Sequence, residues 1–321
     1  MQPNPSGAAR GDRRPTVVFI GGAGRSGSTL LELMLGQVAG VFAAGEVTYL
    51  WERGLVQGQL CGCGVPLREC EFWTRVLSEA FDGADVRADA LARERNALCR
   101  LANVPRLSIG ALRTPGFRDR METYADSLSR VYRAVSEVSG SPIVTDSSKY
   151  PPEALLLRSV PGIRLRIVHM VRDSNAVAHA WQTRKLRPEI HWRKELMPRY
   201  PAAKTALGWT AFNFVFERLA RSGAPVLRLR YEDLVAAPRR ALEEVCAFIG
   251  KPGAELDFLC DRRLRLGPNH TCSGNPIRFQ EGAVPVHASL AWRDETSRAQ
   301  RAIVGALTWP YRRKYGYSGA S

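Results

Sequence analysis

The strongest constraint on this chain lies near its start. Thr16–Gly21 (TVVFIG) is a short β-branched and aromatic run that ends in glycine, the pattern of a buried strand. Gly22–Gly27 (GAGRSG) is a glycine-rich turn, and Ser28–Val38 then sets Leu30, Leu31, Met34, Leu35 and Val38 on one face of a helix. A strand, a glycine turn and a helix in that order aim backbone N–H groups and a helix amino end at one point, which suits an anion. Gly22 and Gly27 have the spacing of the nucleotide loop G-x-x-x-x-G-K-[ST]. Ser28 stands where that loop has its lysine, and a basic residue, Arg25, sits inside the turn instead. The loop candidates are therefore Gly24, Arg25, Ser26, Gly27, Ser28 and Thr29. The missing lysine counts against a Mg-dependent kinase or other nucleotide enzyme, which stays as the alternative.

The rest of the chain repeats the alternation. Val41–Ala44 reads as a weak strand ending at Gly45-Glu46. Pro142–Thr145 is a strand ending at Asp146–Lys149, and Arg164–Val171 is a strand ending at Arg172-Asp173. Pro225–Leu229 is a strand followed by Tyr231–Leu234. Helices are expected over Leu155–Val160, Ser174–Thr183, around Trp209–Leu219, over Ala241–Ile249 and over Ala299–Tyr311. Phe117, Met121, Tyr124, Leu128, Val131, Val135 and Val138 mark a long amphipathic helix. Strands alternating with helices predict an α/β, P-loop-like three-layer fold with a central parallel sheet flanked by helices. Such sheets bind ligands at the carboxyl ends of their strands, where the loop, Glu46, Lys149 and Arg172 all fall.

Composition narrows the classes. With 321 residues, 45% hydrophobic and 24% charged, the chain can build a real core. No apolar run approaches a membrane span. Met1–Pro15 is polar and lacks the apolar core of a signal peptide, which predicts a disordered lead-in to a cytoplasmic protein. Residues 16–317 are expected to form one domain with a mostly helical acceptor-side insertion at about 47–140. The net charge of +15 favours anionic partners, although an Ala- and Arg-rich, GC-rich bacterial genome produces the same excess. A basic nucleic-acid-binding protein is the second alternative; the basic residues are scattered and form no recognisable module, so no nucleic acid is expected as a partner.

The strand–GRSGST–helix arrangement resembles the 5′-phosphosulfate loop of sulfotransferases that use 3′-phosphoadenosine 5′-phosphosulfate (PAPS), in which a basic residue precedes Ser-Gly-[ST]-[ST]. Arg25 takes that basic position. Val171–Trp181 resembles the family's 3′-phosphate motif, with Arg at a strand exit and Ser eight residues later. Arg172 matches, and Ala180 departs from the serine, leaving one hydroxyl contact missing. Leu229–Val235 with Pro238 and Phe248–Gly250 is also similar to the family. So is the Gly274–Gly282 stretch, which the resemblance reads as a flexible loop whose Arg278 closes on the 3′-phosphate. These likenesses span residues 16 to 317, with the sharp motifs in two short windows.

The resemblance implies PAPS as co-substrate and a hydroxyl-bearing acceptor: a carbohydrate, a glycolipid or a secondary metabolite. Sulfuryl transfer rests on positioning and electrostatics. Arg25 fits the cation on the leaving phosphate, and Lys149 fits the cation on the sulfuryl oxygens. Glu46 fits the base, because tyrosylprotein sulfotransferases look similar there, with a loop Arg and then a Gly-Glu. His169, inside a strand, and His179, on a helix, fit less well. Trp51, Trp73, Phe117, Tyr124, Trp192 and Tyr200 are aromatics available to an acceptor.

Cys61-Gly-Cys63-Gly-Val-Pro-Leu-Arg-Glu-Cys70 carries three of the seven cysteines. Three such ligands can recruit a fourth and hold zinc. The spacing is not that of a standard zinc ribbon and no second close pair appears. The segment is read as a reduced or locally disulfide-bonded structural loop, and no metal is expected.

Overall fold

The first strand is buried on both faces, as a continuous apolar run demands. In the computed structural model, which describes residues 14–260 and 262–317, β1 (Thr16–Gly22) is buried at every position. Val17 and Phe19 enter one core, and Val18 and Ile20 enter another on the opposite face. The lead-in expected over residues 1–15 lies, except for Arg14 and Pro15, outside the described residues.

Strands β2 (Val41–Ala43), β3 (Ile143–Lys149), β4 (Arg164–Val171) and β5 (Val226–Arg230) complete a five-stranded sheet in the order β2-β3-β1-β4-β5, with every neighbouring pair parallel. The carboxyl ends of β1 to β4 therefore share one edge. Helix α1 (Ser28–Leu35) follows β1. Four helices lie between β2 and β3: α2 (Glu71–Ala80), α3 (Ala88–Leu98), α4 (Val104–Ser108) and α5 (Pro115–Ser139). Then come α6 (Pro151–Leu157), α7 (Ser174–Gln182) and α8 (Ala202–Arg221), and after β5 α9 (Tyr231–Ala236) and α10 (Pro238–Ile249). Helices α5, α6 and α8 cover the Val17 face, and α1 and α10 cover the Val18 face. Beyond them, β6 (Leu259–Cys260), β7 (Arg263–Leu266) and β8 (Gly282–Pro285) form a small antiparallel sheet, and α11 (Trp292–Glu295) and α12 (Arg298–Lys314) end the description. No helix among the described residues is long and apolar enough to cross a membrane.

Two differences from the sequence expectation bear on the site. Strand β3 runs on to Lys149 instead of stopping at Thr145. The polar residues there stay in the sheet because their side chains are paired inside it: Asp146 Oδ1 accepts from Ser148 N at 2.8 Å, and Ser147 Oγ donates to Glu32 Oε2 at 2.5 Å. Immediately after Glu46 the chain makes a 3₁₀ turn (Val47–Tyr49) and then a π-helical turn (Leu50–Val56), which no periodicity in the sequence signals.

Candidate active site

The turn after β1 holds its shape because side chains crowd it. Gly27 has φ +90°, and a Cβ there would meet the Tyr231 ring at 2.4 Å. A Cβ on Gly24 would meet Trp181 at 2.7 Å, and Trp181 Nε1 donates to the Gly24 carbonyl at 3.2 Å. Arg25 also adopts a left-handed φ of +72°, a conformation that costs a non-glycine residue energy and that clusters at ligand sites. The Ser26 hydroxyl and the Arg25 Nε are buried with no hydrogen-bond partner among the described residues. Arg25 Nη2 lies 2.7 Å from Met197 Sδ, and the guanidinium sits 4.9 Å from the Trp181 ring centroid. Burial lowers the Arg25 pKa, and the fields of Glu46 and Glu189 partly offset that.

Arg172, at the exit of β4, donates from Nη1 to the Arg25 carbonyl at 2.9 Å and stacks 4.4 Å from the Tyr231 ring centroid. The next residue, Asp173, caps α7 through Asn175 N at 2.8 Å and pairs with Arg312 at 2.8 Å. Position 180 is an alanine and offers no hydroxyl. The neighbouring Ser174 is no substitute in this arrangement, since its Oγ is buried against Thr308 Oγ1 at 2.9 Å and Arg312 Nη1 at 3.2 Å.

Glu46 and Lys149 arrive from β2 and β3 and form an ion pair, with Lys149 Nζ also donating to the Ser147 carbonyl at 3.0 Å. Burial raises the Glu46 pKa, but Lys149, then Arg53 and Arg278, outweigh it and hold the carboxyl below its usual range. Below this pair lies a hydrogen-bonded floor. Glu32 accepts from Gly45 N at 2.9 Å and from Ser147, and burial pushes its pKa up to about 8. Asp146 accepts from Tyr132 OH at 2.6 Å, and burial pushes its pKa up to about 6. The structure thus brings Glu46, Lys149, Arg25 and Arg172 to one edge.

Several expectations change. Arg278, expected on a flexible surface loop, is buried. Its Nη1 donates to the Thr271 carbonyl and its Nη2 to the Leu60 carbonyl, both at 2.6 Å. A guanidinium removed from water needs such acceptors, and here they are backbone carbonyls of two distant segments. Among the aromatics offered to an acceptor, Trp51, Trp73 and Tyr124 are core residues, and Phe117 packs with them. Trp192 is half exposed, and Tyr200 packs on Trp181 at 5.0 Å between centroids.

Sequence reasoning missed Lys185, whose pKa is lowered first by burial and then by the adjacent charges of Arg25 and Arg172. It also missed the Glu32 and Asp146 floor. A glutamate within an apolar helix run was the available signal for Glu32, because a buried carboxylate must find donors. Nothing local marks Lys185, which lies in the segment after α7 whose Met197 meets Arg25.

The expectation of a metal-free chain is overturned. The Sγ atoms of Cys61, Cys63 and Cys70 and a ring nitrogen of His270 all lie within 4.8 Å of one another, a ligand set able to hold a metal ion. The fourth ligand comes from 200 residues beyond Cys70, so spacing within the loop could not reveal it.

No protein-family model and no curated protein matches the chain. Among solved structures, the sulfotransferase domain of the Synechococcus PCC 7002 olefin synthase is similar at 20% identity, over 92% of this chain and 94% of that one, with a TM-score of 0.51. The sulfotransferase domain from the curacin biosynthetic pathway is similar at 18% identity, over 92% and 98%, with a TM-score of 0.48. Sulfotransferase STF9 from Mycobacterium avium is similar at 13% identity, over 74% and 64%, with a TM-score of 0.42. What the chain shares with the olefin-synthase domain is the fold: an α/β architecture with a central parallel sheet flanked by helices.

Proposed function

We propose that this chain is a sulfotransferase that moves a sulfuryl group from PAPS to an acceptor hydroxyl, on a sheet read as P-loop-like. One observation carries the reading. At the exit of β1 a glycine turn holds a buried hydroxyl and a buried guanidinium nitrogen, both without a partner among the described residues, and Arg172 donates to the carbonyl of Arg25 in that turn. Buried polar groups are ordinarily satisfied, so a turn that leaves Ser26 Oγ and Arg25 Nε unmade fits an anionic ligand that supplies the acceptors.

The phosphosulfate supplies the sulfuryl group and, as leaving group, a phosphate anion. The loop amides, Ser26, Ser28, Thr29 and Arg25 hold the 5′-phosphate and take up the charge that grows on it, while Arg172 serves the 3′-phosphate. Lys149 serves as the cation for the sulfuryl oxygens, and Glu46 takes the proton of the acceptor hydroxyl as its oxygen bonds to sulfur and the bond from sulfur to the leaving phosphate breaks. The ion pair gives these two roles a link. While Lys149 holds Glu46, the carboxylate is a weak base. When Lys149 turns towards an incoming anion, Glu46 loses its largest stabilising charge, and its proton affinity rises at the moment a base is needed. Tyr49 and Tyr150, both half-buried near Arg95, give the acceptor side an aromatic edge, suited to a sugar ring or an apolar secondary metabolite. Arg278 belongs to the brace beneath Glu46.

Calorimetric titration with 3′-phosphoadenosine 5′-phosphate, set against Mg-ATP, tests the donor. Tight binding of the first and weak binding of the second is expected. The reverse would sink the proposal in favour of a kinase-like enzyme.

A further inference from the structure

Cys61, Cys63, Cys70 and His270 lie off the reacting residues, and none of the proposed chemistry uses them. Their geometry is nevertheless specific. Cys63 Sγ is 3.7 Å from Cys70 Sγ, Cys70 Sγ is 3.3 Å from His270 Nδ1, and Cys61 Sγ is 4.0 Å from the same nitrogen. Zn–S and Zn–N bonds of about 2.3 and about 2.0–2.1 Å give a tetrahedron with edges of roughly 3.5–3.8 Å. A disulfide needs its sulfurs about 2.05 Å apart. The sulfurs and the ring nitrogen thus stand at ligand spacing around a common centre, and no sulfur pair stands at bonding distance.

The surroundings hold the four groups there. The Trp73 indole N–H donates to the His270 carbonyl at 2.7 Å, and the Phe72 ring stacks on the imidazole at 5.2 Å between centroids. Cys70 occupies the cap position of α2, where the helix amino end favours a thiolate. Gly62, between the first two cysteines, donates to the Thr271 carbonyl at 3.0 Å, and a Cβ there would lie 2.0 Å from Asn269 Oδ1. The buried Arg278 binds the carbonyls of Leu60 and Thr271, the neighbours of Cys61 and His270. A buried cation is spent on fixing the backbone on either side of the ligands, the outer-shell support that metal sites use.

We infer that Cys61, Cys63, Cys70 and His270 form a structural zinc site that clamps the 61–70 loop to the segment carrying Thr271–Ser273. Three thiolates and one imidazole suit a soft, four-coordinate ion. With all four positions filled by protein, no place is left for water or substrate, which makes the site structural. The clamped segment is the one that braces the Glu46 turn. Cys272 N donates to the Ala44 carbonyl at 2.8 Å, and Glu46 N donates to the Ser273 carbonyl at 3.1 Å. Zinc therefore fixes the backbone that places Glu46. The metal site stands without the sulfotransferase reading, and only the consequence for turnover rests on it.

Metal analysis and native mass spectrometry of the full chain, expressed with zinc in the medium, test the inference. One zinc per chain is expected. Cobalt exchanged into the site should show the ligand-field and thiolate charge-transfer bands of a tetrahedral thiolate complex. Cys63→Ser and His270→Ala should each lower zinc affinity by roughly tenfold or more against a chromophoric chelator, while Cys260→Ser retains it. Stripping zinc should speed amide exchange in residues 44–47, 60–73 and 268–275 and leave exchange in β4 unchanged. A wild-type chain that takes up no zinc, a disulfide among the three loop cysteines in the freshly purified reduced-buffer protein, or full zinc affinity in both variants would each overturn the inference. Failure to bind 3′-phosphoadenosine 5′-phosphate by a zinc-loaded chain would instead count against the proposed function alone.

Discussion

The two halves of the candidate site are built on opposite principles. At the exits of β1 and β4, buried groups are left unmade: Ser26 Oγ and Arg25 Nε have no partner among the described residues, and Arg172 meets the loop at the Arg25 carbonyl. At the exits of β2 and β3, nearly every polar atom is spoken for. Glu46 holds Lys149, Asp146 takes Tyr132 and Ser148, Glu32 takes Gly45 and Ser147, and the Cys–His cluster braces the turn from behind. On the proposed function, a ligand completes the first half. The second pairs its carboxylates within the free protein, and its groups reach the reaction only by exchanging partners. Binding and turnover should therefore separate along the line between the halves.

The sharpest separation is at Glu46. Glu46→Gln should cut turnover by roughly a hundredfold or more and leave the affinity for 3′-phosphoadenosine 5′-phosphate near the wild-type value by calorimetry. Normal turnover would remove Glu46 as the base and erase the distinction. Next in size, Arg25→Ala or Arg172→Ala should weaken that affinity by roughly ten- to a hundredfold, the worth of charge-assisted hydrogen bonds to phosphate. Unchanged affinity in both would place the anion elsewhere.

A smaller pair of substitutions contrasts the halves directly. Ser26→Ala removes a hydroxyl with nothing to lose in the free protein, so binding should weaken several-fold, on the order of 1 kcal/mol, with the melting temperature held or raised. Ser147→Ala takes a donor from buried Glu32 and should lower stability by about 1–3 kcal/mol with binding intact. The opposite pattern in thermal melts and titrations would reverse the assignment of the halves.

The last contrast is a slope. The folded protein keeps Glu32 protonated up to about 8, whereas the unfolded chain releases that proton near the ordinary 4.5. Between those values the folded state binds more protons, so stability falls as pH rises through the window. Asp146, raised to about 6 from 3.8, adds the same sign lower down. Glu32→Gln should flatten the fall in melting temperature between about pH 5 and 8; an unchanged slope would mean that Glu32 is ionised in the fold.

Local chemistry was legible without coordinates. The run TVVFIG, the turn GAGRSG and the amphipathic helix after it are contiguous, so their periodicity and glycine spacing carry the strand, the loop and the helix. Placing Glu46, Lys149 and Arg172 at strand exits follows from parallel-sheet geometry, which puts all carboxyl ends on one edge. Other features have partners far away in the chain. The charges of Lys185 and Arg25 interact only because the segment after α7 folds back toward the loop, where Met197 meets Arg25. The resemblance put Arg278 on a flexible loop, because nothing near it in sequence shows that the carbonyls of Leu60 and Thr271 will meet around it.

The amino-acid sequence by itself determined the alternation of strands and helices, the glycine turn after the first strand and the residue types at the sheet edge, because each is written in neighbours a few positions apart. The tertiary structure alone decided which polar groups are satisfied and which wait. It paired Glu46 with Lys149, buried Arg278, and brought His270 to three cysteines two hundred residues earlier. Hydrogen-bond satisfaction and metal coordination depend on distances in space, and the chain fixes those only once long-range packing has closed its loops.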